Sequence, residues 1–159
     1  MFAGIDYATD SSTRYKQLTS QMDALLTGET NRYANLSNAS ALLNLFFDRI
    51  NWVGFYLVDH EELVLGPFQG LPACIRIPLG RGVCGTSAKS KESLIVPDVN
   101  AFPGHIACDA ASQSEIVIPL IKDGNLIGVL DIDSPELNRF TEADRLGLEN
   151  VVQALVKHI

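Results

Sequence analysis

Residues 114–133 read SEIVIPLIKDGNLIGVLDID. Two apolar, β-branched runs flank Asp123-Gly124, a dipeptide that favours the two-residue hairpin turn in which both central residues need positive φ. The stretch therefore predicts a hairpin with strands at 114–122 and 125–133. An isolated hairpin is marginal in water and needs further strands or helices over its apolar face. This one segment commits the chain to a sheet-based fold.

More strands lie upstream. NWVGFYLVD (51–59) is aromatic and β-branched, and ELVLGPF (62–68) follows at hairpin distance. ACIRIPL (73–79) and SLIVPDV (93–99) are shorter candidates, the second ended by Pro97. Between them GRGVCGTSAKSKE (80–92) reads as a Gly-rich turn opening a short helix. Helical spacing dominates the two ends. Leu18, Met22, Leu25 and Leu26 mark a helix over 14–26 that Gly28 stops, and Tyr33, Leu36, Ala39, Leu43 and Phe46 mark another over 29–47. Thr141 is placed to cap a last helix, with Asp144 at its third position, running to about His158. The implied class is α+β: an antiparallel sheet with N- and C-terminal helices packed on one face. Loops 66–86 and 98–114 are left to roof the other face, the natural place for a pocket.

A chain of 159 residues, 47% apolar and 19% charged, is globular and fits one domain, 1–159, with residues 1–12 as a possible mobile lead-in. The formal charge of −7 speaks against nucleic acid and anionic membranes as partners. MFAGIDYATDSS has no cationic stretch leading into an apolar run, so no secretory signal is expected, and no segment is long enough to span a bilayer. With three cysteines and no signal, the expected location is a reducing compartment, the cytoplasm.

Those cysteines all fall in the loop-rich part of the chain. Cys84, in GVCGT, stands where a helix begins, and the unpaired N–H groups there favour a thiolate. Cys108, in PGHIACDAAS, has His105 three residues before it and Asp109 after it. The histidine would lower its pKa and the aspartate raise it. Three packing residues, or a zinc site using the cysteines and His105, are the alternatives to a redox role. No pair has the close spacing usual for structural zinc. A dithiol centre fits best: one thiolate attacks, and a second resolves the oxidised sulfur as a disulfide.

Asp131 and Asp133 share strand parity with Ile127 and Val129, so both carboxylates should point to one sheet face. Asp131 ends an aliphatic run, where an unpaired charge is costly, while Asp133 before Ser134-Pro135 is also explained by turn chemistry. Glu115 opens the partner strand, so the three should cluster. Carboxylates that close raise one another's pKa, leaving a proton to donate, and attract a cation such as an α-ammonium. On the first strand Trp52, Gly54 and Tyr56 share a face, and Gly54 would leave a gap between the rings for a small group. Together these residues outline an aromatic-walled, anionic pocket. His60 reads as a hairpin turn and His158 as a terminal surface residue.

NWVGFYL, GPFQGLPACIRIPLGRGVCGTSA, SLIVPDVNAFPGHIACDAASQSEIVIPL and GVLDIDSPELNRFTEADR resemble the free methionine-(R)-sulfoxide reductases, which are built on a GAF domain. The resemblance runs over nearly the whole chain and is weakest in the first dozen residues. It implies a GAF-like fold, reduction of free L-methionine-(R)-sulfoxide, thioredoxin as reductant, a homodimer, and no metal or other cofactor in the active site. Carried over by motif, Cys108 is the nucleophile and Cys84 and Cys74 are the resolving or recycling thiols, in an order left open. Glu115, Asp131 and Asp133 then bind substrate, one of them donating a proton, with Trp52 and Tyr56 as the aromatic wall. A small-molecule-binding GAF sensor and a thiol-based peroxide sensor are the rival readings.

Overall fold

The computed structural model describes residues 2–4 and 6–159. Helices α1 (Ser11–Leu26) and α2 (Arg32–Phe46) lead into strands β1 (Trp52–Asp59), β2 (Glu62–Gly70) and β3 (Arg76–Pro78). Helix α3 (Gly82–Ser90) and strand β4 (Leu94–Val96) follow, then a 3-10 turn at Val99–Ala101. The hairpin β5 (Ser114–Lys122) and β6 (Asn125–Ser134) precedes α4 (Glu142–Leu155), whose end tightens into a 3-10 turn to His158. The lead-in expected at residues 1–12 includes Met1 and Ile5, which lie outside the described residues. Tyr7 packs edge-on against Phe46, with ring centres 4.8 Å apart.

The strands form one antiparallel sheet in the order β3-β2-β1-β6-β5-β4. The hairpin turns at Asp123 and Gly124, both at positive φ (52° and 79°). Each long helix begins on a side-chain cap: Asp10 accepts from Thr13 N, Asn31 from Tyr33 N and Ala34 N, and Thr141 forms a reciprocal box with Asp144. The first two caps start α1 three residues earlier, and α2 three residues later, than hydrophobic spacing alone indicates.

Two apolar layers cover the two sheet faces. Leu18, Met22, Leu36, Leu43, Leu148 and Val151 from α1, α2 and α4 pack on Val53, Phe55, Ile116, Ile118, Leu130 and Ile132. The opposite face carries Trp52, Tyr56, Val117 and Val129, covered by Val83, Cys84 and Ala88 of α3. The roof over that face is thus half helix, not loop alone.

Three local expectations change. Only Arg76–Pro78 and Leu94–Val96 of the two short candidates pair as strands. A register shift at Leu120/Ile121 breaks parity along β6, so Ile127 packs with the helix layer while Val129 faces α3. His158 is no free surface residue: its Nε2 lies 2.8 Å from Asp23 Oδ1 and its side chain is mostly buried.

Candidate active site

Strand register assembles the floor of a pocket under α3. Asp133 pairs with Glu115 on one side and with Trp52 on the other. Asp131 pairs with Val117 and Gly54. Beyond the bulge, then, β6 presents both carboxylates to the face that Trp52 and Tyr56 share. Glu115 and Asp131 are buried, and Asp133 is partly so. The cavity above them is lined by these three acids, Trp52, Tyr56, Cys84, His105 and Cys108, among others.

The aromatic wall exists because Gly54 has no side chain. A Cβ there would lie 2.3 Å from Phe68 Cβ and 2.7 Å from the Trp52 ring. The space is filled by the indole, which crosses Gly54 to stack on Phe68, with centres 5.2 Å apart and planes 15° from parallel. The gap expected at Gly54 for a small group is therefore occupied by the wall itself. Phe68, in a strand read only for its hairpin distance from the first, is the ring that sequence reasoning missed. The polar ends of the wall point the other way: Trp52 Nε1 donates to Leu71 O at 3.1 Å and Tyr56 Oη to Cys74 O at 2.9 Å. Burial and the neighbouring acids push the Tyr56 pKa up, so its hydroxyl stays a donor. Both aromatics thus tie down the loop after β2.

That loop carries one half of a disulfide. Cys74 is joined to Cys108 across 34 residues, with Cα atoms 5.4 Å apart. Of the two, Cys108 borders the cavity. Its loop is anchored from the residue before β1: Asn51 Nδ2 donates to Asp109 Oδ2 at 2.9 Å and to Ser112 Oγ at 3.1 Å, while Asp109 Oδ1 accepts from Ala111 N. Asp109 is a loop anchor. His105 sits on the same rim, with its pKa lowered by partial burial.

Cys84 is placed otherwise than its helix position implies. It is a buried free thiol on the first turn of α3, with Sγ 3.8 Å from Glu115 Oε1. Burial first, and Asp131, Glu115 and Asp133 second, push its pKa well up. Partial charges at a helix N-terminus are outweighed by desolvation beside three acids. The expectation of a stabilised thiolate at Cys84 is overturned, and Cys84 takes no part in the observed cross-link between Cys74 and Cys108.

Burial and mutual repulsion raise the pKa values of Glu115 and Asp133 well above the usual carboxylate range. Asp131 rises only to about 6, because hydrogen bonds from Glu115 and Cys84 offset part of its desolvation. Of the three, Asp131 is therefore the acid that ionises most readily. Asp131 Oδ1 is buried with no hydrogen-bond partner among the described residues. It is an acceptor without a donor, facing a cavity. Cys84, Glu115 and Asp131 also have donor atoms within 4.8 Å of one another, the one such set among the described residues close enough to share a cation. Zinc on the three cysteines with His105 is excluded in this state, because two of the sulfurs are bonded to each other.

Comparison with known proteins agrees with this geometry. The GAF domain family model matches residues 24–159. The free methionine-R-sulfoxide reductase of Escherichia coli (strain K12) is 53% identical over 143 residues, which cover 90% of this chain and 87% of that protein. The Saccharomyces cerevisiae protein of the same name is 47% identical over 151 residues, covering 89% and 83%. The X-ray structure of the Neisseria meningitidis free methionine-R-sulfoxide reductase in complex with its substrate matches with a TM-score of 0.94 at 47% identity, over 99% of this chain and 95% of that one. With the acids, the aromatic wall and the paired cysteines gathered around one cavity on this fold, the chain belongs to the GAF-domain family of free methionine-R-sulfoxide reductases.

Proposed function

We propose that this chain reduces free L-methionine-(R)-sulfoxide to L-methionine. The observation that carries the reading is one pocket with a cysteine pair at its rim and, on its floor, a buried carboxylate oxygen without a donor. An α-ammonium supplies that donor. A methionine sulfoxide within a peptide has no such charge, which is a physical reason for selecting the free amino acid. The relatives named above, and the substrate complex of one, support the same assignment.

The chemistry needs a nucleophile, an acid and a resolving thiol. Cys108 is assigned as nucleophile because it is the half of the disulfide that borders the cavity. Its thiolate attacks the sulfoxide sulfur while Glu115 or Asp133, held protonated by burial, donates to the oxygen. Collapse releases methionine and leaves a sulfenic acid on Cys108. Cys74 attacks that sulfur, water leaves, and the observed cross-link forms. This separates the two remaining thiols: Cys74 resolves, and Cys84 belongs to the floor. Thioredoxin in a reducing cytoplasm then restores the dithiol. No helix among the described residues is long and apolar enough to cross a membrane. A homodimer completes the proposal, supported by Tyr33 and Leu45, which α2 leaves in solvent.

The test is thioredoxin-dependent NADPH consumption with the free (R)-sulfoxide, against the (S) epimer and a peptide substrate. Cys108→Ser is expected to lose turnover, and Cys74→Ser to release a single burst of methionine and stall. No consumption by folded, reduced protein overturns the assignment. Equal oxidation by peroxide and by the sulfoxide favours a peroxide sensor instead. Ligand binding unchanged by replacing all three cysteines favours a sensory module.

A further inference from the structure

A disulfide recycled by another protein offers two sulfurs to the incoming thiolate, and they stand in different surroundings. Cys74 lies on the loop between β2 and β3, with Leu71 and Ile75 on either side, 64% and 68% exposed. Side chains of that size are usually covered, and here they flank a reactive bond. The segment is nevertheless held: Tyr56 Oη donates to Cys74 O at 2.9 Å, and Ile75 O accepts from Leu65 N at 2.9 Å. Cys108 lies between Ala107 and Asp109, on the rim of a cavity floored by Glu115, Asp131 and Asp133. A thiolate approaching Cys108 comes in beside the acid-lined pocket; one approaching Cys74 meets an exposed, backbone-anchored apolar shoulder.

Resting on the reductase reading above, we infer that Cys74 is the sulfur attacked by the recycling protein dithiol, and that Ile75 with Leu71 forms the contact for it. The partner's thiolate bonds to Cys74 Sγ, the Cys74–Cys108 bond breaks, and its electron pair leaves on Cys108 as a thiolate, which takes up a proton or goes straight into the next turnover. The partner's second thiol then attacks its own sulfur in the mixed disulfide and releases Cys74. Two electrons pass to the pair, and the partner ends as a disulfide. The order has a consequence for catalysis: the nucleophile is freed first, on the pocket side, while the resolving thiol is still engaged outside. Neither cysteine crosses the cavity to be reduced.

The experiment uses thioredoxin whose second active-site cysteine is serine, mixed with the oxidised protein and quenched by alkylation. Peptide mapping is expected to find the partner on Cys74 and the alkyl group on Cys108. Adduct on Cys108 overturns the inference and leaves the reductase reading intact. No adduct on either cysteine overturns both this inference and thioredoxin recycling. In parallel, Ile75→Ser is expected to raise KM for thioredoxin several-fold, while turnover driven by dithiothreitol stays at the wild-type rate. An unchanged KM for thioredoxin rejects the proposed contact.

Discussion

Asp131 faces Glu115 on β5, Asp133 on its own strand, Cys84 from α3 and Tyr56 from β1, and none of these groups can be a cation. The pKa near 6 means that the folded chain binds this proton more tightly than the unfolded chain, whose aspartate titrates near 4. Over that window the native state holds more protons, so stability falls as pH rises through it, by on the order of 3 kcal/mol for this group. Asp131→Asn removes the charge and with it the pH-linked cost. Melting temperatures of the two proteins are expected to diverge in favour of the variant toward pH 7 and to converge toward pH 4. A gap that widens on acidification instead would mean that the carboxylate is stabilised as an anion. The variant also replaces the carboxylate assigned to the substrate ammonium by a neutral amide, whose oxygen still accepts but carries no charge. Loss of the charge assistance, worth roughly 1–2 kcal/mol, then predicts a KM for free sulfoxide about 5- to 30-fold higher.

Helix α3 decides the shape of the site, because its first turn carries Cys84 and meets the Cys108 loop. Gly82 has φ +61°, and a Cβ there would come within 3.2 Å of Ile106. An L side chain in that conformation costs about 1–2 kcal/mol. Gly82→Ala is expected to lower the melting temperature by roughly 2–8 °C and to displace Ile106, so that single-turnover methionine release slows with KM for thioredoxin unchanged. Scanning calorimetry and rapid-quench kinetics check the two halves. Elements of this kind also show what the sequence makes legible. Two-residue alternation in β1, β5 and β6 placed Glu115, Asp131, Asp133, Trp52 and Tyr56 on one face, because strand geometry is local. The bulge at Ile127 and the passage of the Trp52 ring over Gly54 were not legible, since both are set by a neighbouring strand. Cys84 shows the sharper failure. Its place at a helix start is local and correct, yet its chemistry follows from acids 31 and 47 residues away in the chain, and those reverse the sign of its pKa shift.

At the scale of the molecule, the sheet separates a layer that holds the fold from a roof over the candidate site. Behind it, α1, α2 and α4 cover a continuous apolar layer; in front, the roof is α3 and two loops. Hydrogen bonds to Asn51, Trp52, Tyr56 and Leu65 hold the roof loops together with the Cys74–Cys108 bond, whose cysteines stand 34 residues apart in the chain. In the chain-entropy account a link of that span restricts the unfolded chain by about 4 kcal/mol. In the proposed mechanism each catalytic cycle breaks and remakes it, so stability alternates with redox state. Reduced protein is expected to melt below oxidised protein, and Cys74→Ser to melt at the reduced value under either condition. Hydrogen exchange locates the change: on reduction, amides of 71–75 and 104–112 should lose protection while those of β5, β6 and α4 keep theirs. Loss of protection in α1 or α4 instead would mean that the bond supports the whole domain and that the sheet does not insulate one layer from the other. Loosening confined to the roof couples the two functions of the cross-link, since the state that has just been reduced is also the one whose pocket is open to the next sulfoxide.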